Sequence, residues 1–222
     1  MSKKNFEEYL NPSYFCDSEN EDLISKAKQL TEFDDTPKHS ALSIFYFVRD
    51  QIKYILDGFT KASETLQRGS GDCGNKANLQ VALLRAIKIP ARFHIARISK
   101  EFLEGVVSKS VYNIIPDVIK YHPWCECYHS NRWISCDSLF DISLMKGLYK
   151  KKIITEDLIP TIEWDGFHDM NIIAPWIIED MGTIHSLDEL IPNLELEPYD
   201  DAVKTEKFLC SELTVHMDEL RI

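Results

Sequence analysis

Three residues of this 222-residue chain have the types and the spacing for nucleophilic chemistry: Cys73, His122 and Asp137. Cys73 follows Gly69, Ser70, Gly71 and Asp72 and leads into a long apolar run, ANLQVALLRAI. A thiol attacks as its thiolate, and an ordinary cysteine, with a pKa of about 8.5, is mostly protonated at neutral pH. A helix start favours the thiolate, because the first-turn N–H groups lack partners and the helix dipole is positive there. The glycines let a substrate approach closely, and the Cys73 N–H is available to a developing oxyanion. Taken alone, the segment fits an inert buried thiol equally well.

A reactive thiol needs a base. His122 opens and Asp137 closes the stretch HPWCECYHSNRWISCD, which alternates and is rich in aromatics. With Ser130-Asn131 at its centre, it predicts a β-hairpin. Across such a hairpin position 122 is diagonal to 137 and shares its face. The carboxylate then fixes the imidazole tautomer, and the other ring nitrogen takes the thiol proton. By itself His122 also fits a packed or surface histidine.

Other elements must hold these groups. Ser18 and Glu21 read as a capping box for a helix through about Leu30, after an irregular arm; together they form an N-terminal helical arm over 1–35. Thr36-Pro37 opens a helix over about 37–52, with Ala41, Ile44, Phe45, Val48 and Ile52 on its buried face. Ser63 caps a short helix through Gln67. A central buried helix follows over about 73–87, with Asp72 as its cap and Pro90 beyond its end. ARFHIARI, 91–98, reads as a strand. Residues 99–120 form a longer, partly helical connection expected to wall the cleft and to set substrate choice. LMKGLYKKK and SLDELI, with Ser186 as a cap, close the pattern.

GDCGNKANLQVALLRAIKIPARF and the later HPWCECYHSNRWISCD resemble the core motifs of the transglutaminase-like superfamily. The matching positions are Gly71 and Cys73, Leu83 to Ala86, Ile89 to Arg92, then His122, Trp124 and Glu126, and finally Trp133 and Asp137. The match covers about 40–140. ASETL, 62–66, resembles the lead-in to the nucleophile loop, and WDGFHD and EDMGTIHSLDELI resemble the tail of small bacterial and archaeal members. The chain departs from the common pattern at Lys88, Pro123, Ser138 and Leu139, which touches loop geometry and substrate fit.

The resemblance implies an α+β, papain-like core: a buried helix carrying Cys packed on an antiparallel sheet carrying His and Asp. By it, Cys73 is the nucleophile, His122 the general base and then acid, and Asp137 the orienting group. Gln67, six positions before Cys73, has the spacing of the oxyanion glutamine of papain-like proteases; a solvated helix-end glutamine fits the same position. No cofactor is implied, and calcium is not, since no Asp-rich loop has ligand spacing.

Cys125, Cys127, His129 and Cys136 pose a separate question. As a zinc set they have unusual spacing, and small core thiols on the strand face opposite His122 are the favoured reading. Glu126 fits a partner for a nearby arginine, a contact to the substrate, or a purely structural role. Trp124 and Trp133 read as core or pocket wall.

With 44% hydrophobic residues the chain can bury a proper core, and a single domain over 1–222 is expected. The formal net charge of −11, much of it in an acidic extension over about 186–222, speaks against nucleic-acid or anionic-lipid partners. The absence of an apolar leader or span predicts a cytoplasmic protein with mostly free thiols. The expected activity is thiol acyl transfer on a peptide, protein or small amide or ester substrate. A compact chain favours a cysteine peptidase or amidase over a protein-glutamine transglutaminase. A non-catalytic binding module that keeps the fold is the reading from a different class.

Overall fold

A computed structural model describes residues 6–56, 58–190 and 215–222. The expected hairpin is present: β4 (Val118–His129) and β5 (Arg132–Ser135) pair antiparallel, joined at Ser130-Asn131. Both turn residues have positive φ, 50° and 63°, as a tight two-residue turn between right-twisted strands requires. β3 (Ala91–Ser99) pairs antiparallel with β4, and β6 (Ile177–Ile184) pairs with the other side of β3. The sheet order is β5-β4-β3-β6. β6 carries no apolar alternation and is largely exposed, so its sequence gives no strand signal.

Helix α4 (Cys73–Ala86) packs on β4 and β3, with α1 (Glu21–Leu30), α2 (Pro37–Gln51) and α3 (Ala62–Arg68) around it. All residues from Gly74 to Arg85 are buried. This is the α+β arrangement expected, with the cysteine helix laid on an antiparallel sheet.

Arg85 fixes the far end of α4. Its guanidinium is buried and donates to the carbonyls of Ala91, Asn11 and His185, so the helix, β3, the N-terminal arm and the end of β6 meet at one side chain. A buried charge is tolerable only with such partners.

Two caps differ from expectation. The α1 cap is Asn20, whose side chain accepts from the Asp22 N–H, while Ser18 lies in the turn before it. α3 begins at Ala62 with Lys61 in the cap position, because Ser63 is committed to Asp17 through both its N–H and its hydroxyl. Thr36 caps α2, and Asp72 caps α4 by accepting from the Asn75 N–H at 2.9 Å. Within 99–120 lie a 3-10 turn (Lys100–Leu103), α5 (Lys109–Ile114) and the first turn-out into β4. LMKGLYKKK forms most of α6 (Ile142–Lys150), and Ser186 caps a 3-10 turn at Leu187–Glu189. Two short parallel strands, β1 (Lys53–Tyr54) and β2 (Ser70–Gly71), hold the segment before Cys73 against the end of α2. The acidic residues between 191 and 214 lie outside the described residues. Among the described residues no helix is long and apolar enough to cross a membrane.

Candidate active site

Cys73 is the first residue of α4, directly after its cap, at the floor of a cleft of about 190 Å³. The cleft is lined by Phe59, Asp72, Gly74, Tyr121, Pro123, Leu187 and Leu190. The residue is half-buried, yet its sulfur is desolvated. That burial, with the nearby carboxylates of Asp72 and Asp137, pushes the thiol well above its ordinary pKa. The backbone N–H groups of Gly74 and of Cys73 itself work in the other direction. The thiol therefore rests protonated, and the helix start alone does not ionise it.

Asp137 lies behind Cys73. The two line one small cavity with Lys76, Gln80 and Trp124, tight enough to leave no room for water. Its carboxylate accepts from the N–H groups of Leu139 and Ile172 at 3.1 and 3.2 Å. Burial pushes its pKa up to about 7, against the pull of those N–H groups and of the Lys76 charge. Its own N–H donates to Met170, so the chain has left β5 at this point.

His122 sits in β4 opposite Ala96, between Tyr121 and Pro123, the two β4 residues that line the Cys73 cleft. Its ring is 1% exposed and packs edge-on against Phe102 at 6.0 Å. Nε2 is buried without a hydrogen-bond partner among the described residues. Burial alone drops the imidazole pKa to about 3, so the ring is neutral, the form a base needs. No hydrogen bond joins His122 to Cys73 or Asp137 in this structure.

The sequence profile of the transglutaminase-like superfamily matches residues 24–138, just over half of the chain. The chain belongs to this superfamily. Among solved structures, one described as a putative cysteine protease from Cytophaga hutchinsonii aligns with a TM-score of 0.55 and 19% identity. The alignment covers 84% of this chain and 49% of the other, so this chain spans about half the length of that protein. No curated protein matches the chain.

Two further residues of this superfamily member reach the site without having been singled out by sequence. Lys76, one turn after Cys73, is buried and donates to the carbonyls of Val48 and Ile52 at the end of α2. Burial lowers its pKa to about 7, against the attraction of Asp141, Asp50 and Asp137. A lysine one turn after the cysteine, in a helix buried from Gly74 to Arg85, was the available signal. Tyr54 is also buried, its ring edge-on to Phe140 at 5.0 Å. Burial, then the charges of Cys73, Asp72 and Asp137, push its phenol far up. Nothing in its sequence surroundings marks it, because it reaches the site through the β1–β2 pairing.

Gln67 is exposed on α3 and lines neither the cleft nor the cavity at Cys73; the buried glutamine there is Gln80, which donates to the Cys136 carbonyl and accepts from Ser138. Cys125, Cys127 and Cys136 are buried in the core, with the Cys136 and Cys127 sulfurs 3.8 Å apart. His129 instead pairs with the Ser130 hydroxyl. Among the described residues no three His, Cys, Asp or Glu side chains are grouped closely enough to hold a metal ion. Glu126 binds Arg92 at 2.7 Å and His94 at 2.8 Å, and His94 stacks on Trp124.

Proposed function

We propose that the protein is a cysteine hydrolase acting on an amide or ester carbonyl, with Cys73 as nucleophile, His122 as base and acid, and Asp137 as orienting group. The observation that carries this reading is the placement of a half-buried thiol at a helix start, at the floor of a cleft whose β4 wall flanks a desolvated, neutral histidine. Two facts add support: the chain belongs to the transglutaminase-like superfamily, and the structural neighbour is described as a putative cysteine protease.

Because the thiol rests protonated, proton transfer accompanies attack. The Cys73 proton passes to the imidazole of His122 as the sulfur bonds to the carbonyl carbon. The oxyanion that forms faces the first-turn N–H groups of α4, which have no helical partners. The C–N or C–O bond then breaks, and the imidazolium protonates the leaving group. Water, deprotonated by His122, releases the acid and the free thiol. Closing from the present geometry requires His122 to come within hydrogen-bonding reach of the sulfur, a change expected on substrate binding.

The reading is tested by turnover of an activated ester. Wild type should show a burst and a covalent adduct on Cys73, and Cys73→Ala neither. Added primary amine separates hydrolysis from transfer: an acid product that persists at high amine supports a hydrolase, and an amide product shifts the assignment to a transglutaminase. Unchanged turnover by Cys73→Ala would overturn the reading.

A further inference from the structure

The cleft over Cys73 has a composition that selects among acyl groups. Five of its lining residues are apolar or aromatic: Phe59, Tyr121, Pro123, Leu187 and Leu190. Its volume, about 190 Å³, is room for one side chain. Asp72 is the one charged group among the described lining residues, and one of its oxygens is taken by the Asn75 N–H.

The walls are held by contacts outside the cleft. The Phe59 ring lies on the start of α4, where a Cβ at position 74 would stand 3.3 Å from it, so Gly74 is what lets the ring close the wall. Phe15 backs Phe59 at 4.8 Å. Leu187 is 4% exposed, in a turn closed by the Ser186–Glu189 capping box. The next residue, Asp188, accepts from the Ser13 hydroxyl and the N–H groups of Tyr14 and Phe15, which ties this turn to the N-terminal arm. The walls are thus preformed, as in sites that recognise by shape and desolvation.

We propose that this cleft is a specificity subsite for an uncharged apolar side chain, of leucine or phenylalanine size, next to the carbonyl attacked by Cys73. The proposal rests on Cys73 being the nucleophile. An acidic side chain meets the Asp72 carboxylate. A basic one loses its hydration against five apolar walls, and the positive end of α4 offsets the pull of Asp72. An apolar one is removed from water where it meets those walls.

The test compares chloromethyl ketones that share one blocking group and differ only in side chain: glycine, leucine, phenylalanine, glutamate and lysine. The rate of Cys73 alkylation is followed by peptide mapping. The leucine and phenylalanine probes should exceed the glycine probe by about 10-fold or more, a gain of the size expected from burying one such side chain. The glutamate and lysine probes should not exceed it. In Leu187→Asp the ratio of phenylalanine to glycine rates should fall toward one. Should that variant fail to fold, the wild-type series alone decides. Equal rates across the series, or a preference for glutamate or lysine, would overturn the subsite while leaving the nucleophile in place. No Cys73 labelling by any probe would overturn the nucleophile and the subsite together.

Discussion

Lys76 and Asp137 line the same water-tight cavity beneath Cys73, one from α4 and the other from the chain just beyond β5. Each is buried, and each favours the charged form of the other. On the proposed mechanism Asp137 orients an imidazole only as a carboxylate, a form that the Lys76 charge favours alongside the Ile172 and Leu139 N–H groups, against burial. Other charges near Lys76 are Asp141, Asp50 and Arg221.

Removing the ammonium should therefore raise the Asp137 pKa above about 7. In Lys76→Met the acid limb of kcat against pH should move upward, and in Lys76→Arg it should stay closer to wild type. A profile unmoved in the methionine variant would assign Lys76 a purely structural role as cap of α2.

His122 should also appear in stability. Its folded pKa, about 3, lies below the unfolded value, so the unfolded chain binds the proton first on acidification. This contribution is complete above the unfolded pKa of about 6.5 and is lost as pH falls toward about 3. Urea denaturation of wild type and His122→Phe at pH 7 and pH 4.5 checks the sign. Wild type should lose more stability between the two.

Arg85 is expected to be the costliest surface-distant substitution. Arg85→Ala leaves buried carbonyls of Ala91, Asn11 and His185 without donors. A loss on the order of 3 kcal/mol or more is expected in denaturant titrations. A change below about 1 kcal/mol would contradict its role as a clamp.

The end of the chain is anchored beside the site. Arg221 binds the buried Asp141 at 2.7 Å and the Tyr54 carbonyl at 2.6 Å. Burial raises the Asp141 pKa, but the hydrogen bond and charge of Arg221 outweigh it and hold the group at about 2. That stability is present above the unfolded pKa of about 3.9 and is lost as pH falls through about 2. Arg221→Met should cost about 3 kcal/mol at pH 7 by stranding the carboxylate, with the gap to wild type narrowing below pH 4. Gly147→Ala should dislodge the same segment, because its Cβ would lie 1.7 Å from the Leu220 carbonyl oxygen.

The elements that sequence patterns specify locally are those the structure reproduces. Cys73 at a helix start, the Ser130-Asn131 turn and Thr36-Pro37 each carry their reason within a few residues. The hairpin itself is of the same kind, but its ladder ends at Ser135, and the N–H of Asp137 turns to Met170 instead of to β4. What remained hidden depends on long-range contact. β6 is a charged edge strand that exists only because β3 accepts it. Tyr54 reaches the site through a two-residue parallel pairing, and Lys76 is held by carbonyls of another helix. At Gln67 the sequence fitted both a papain-like oxyanion spacing and a solvated helix end, and the packing of α3 leaves it in solvent.

The central claim is that Cys73 attacks with His122 as its base. The most direct test is the rate of Cys73 acylation by an activated ester at pH 7, in wild type and in His122→Ala, with the modified thiol identified by peptide mapping. Because the Cys73 thiol rests protonated, the rate should fall by about 100-fold or more without the imidazole, with Cys73 the thiol modified in wild type. Equal rates in the two proteins, or modification spread evenly over Cys16, Cys125, Cys127 and Cys136, would contradict it.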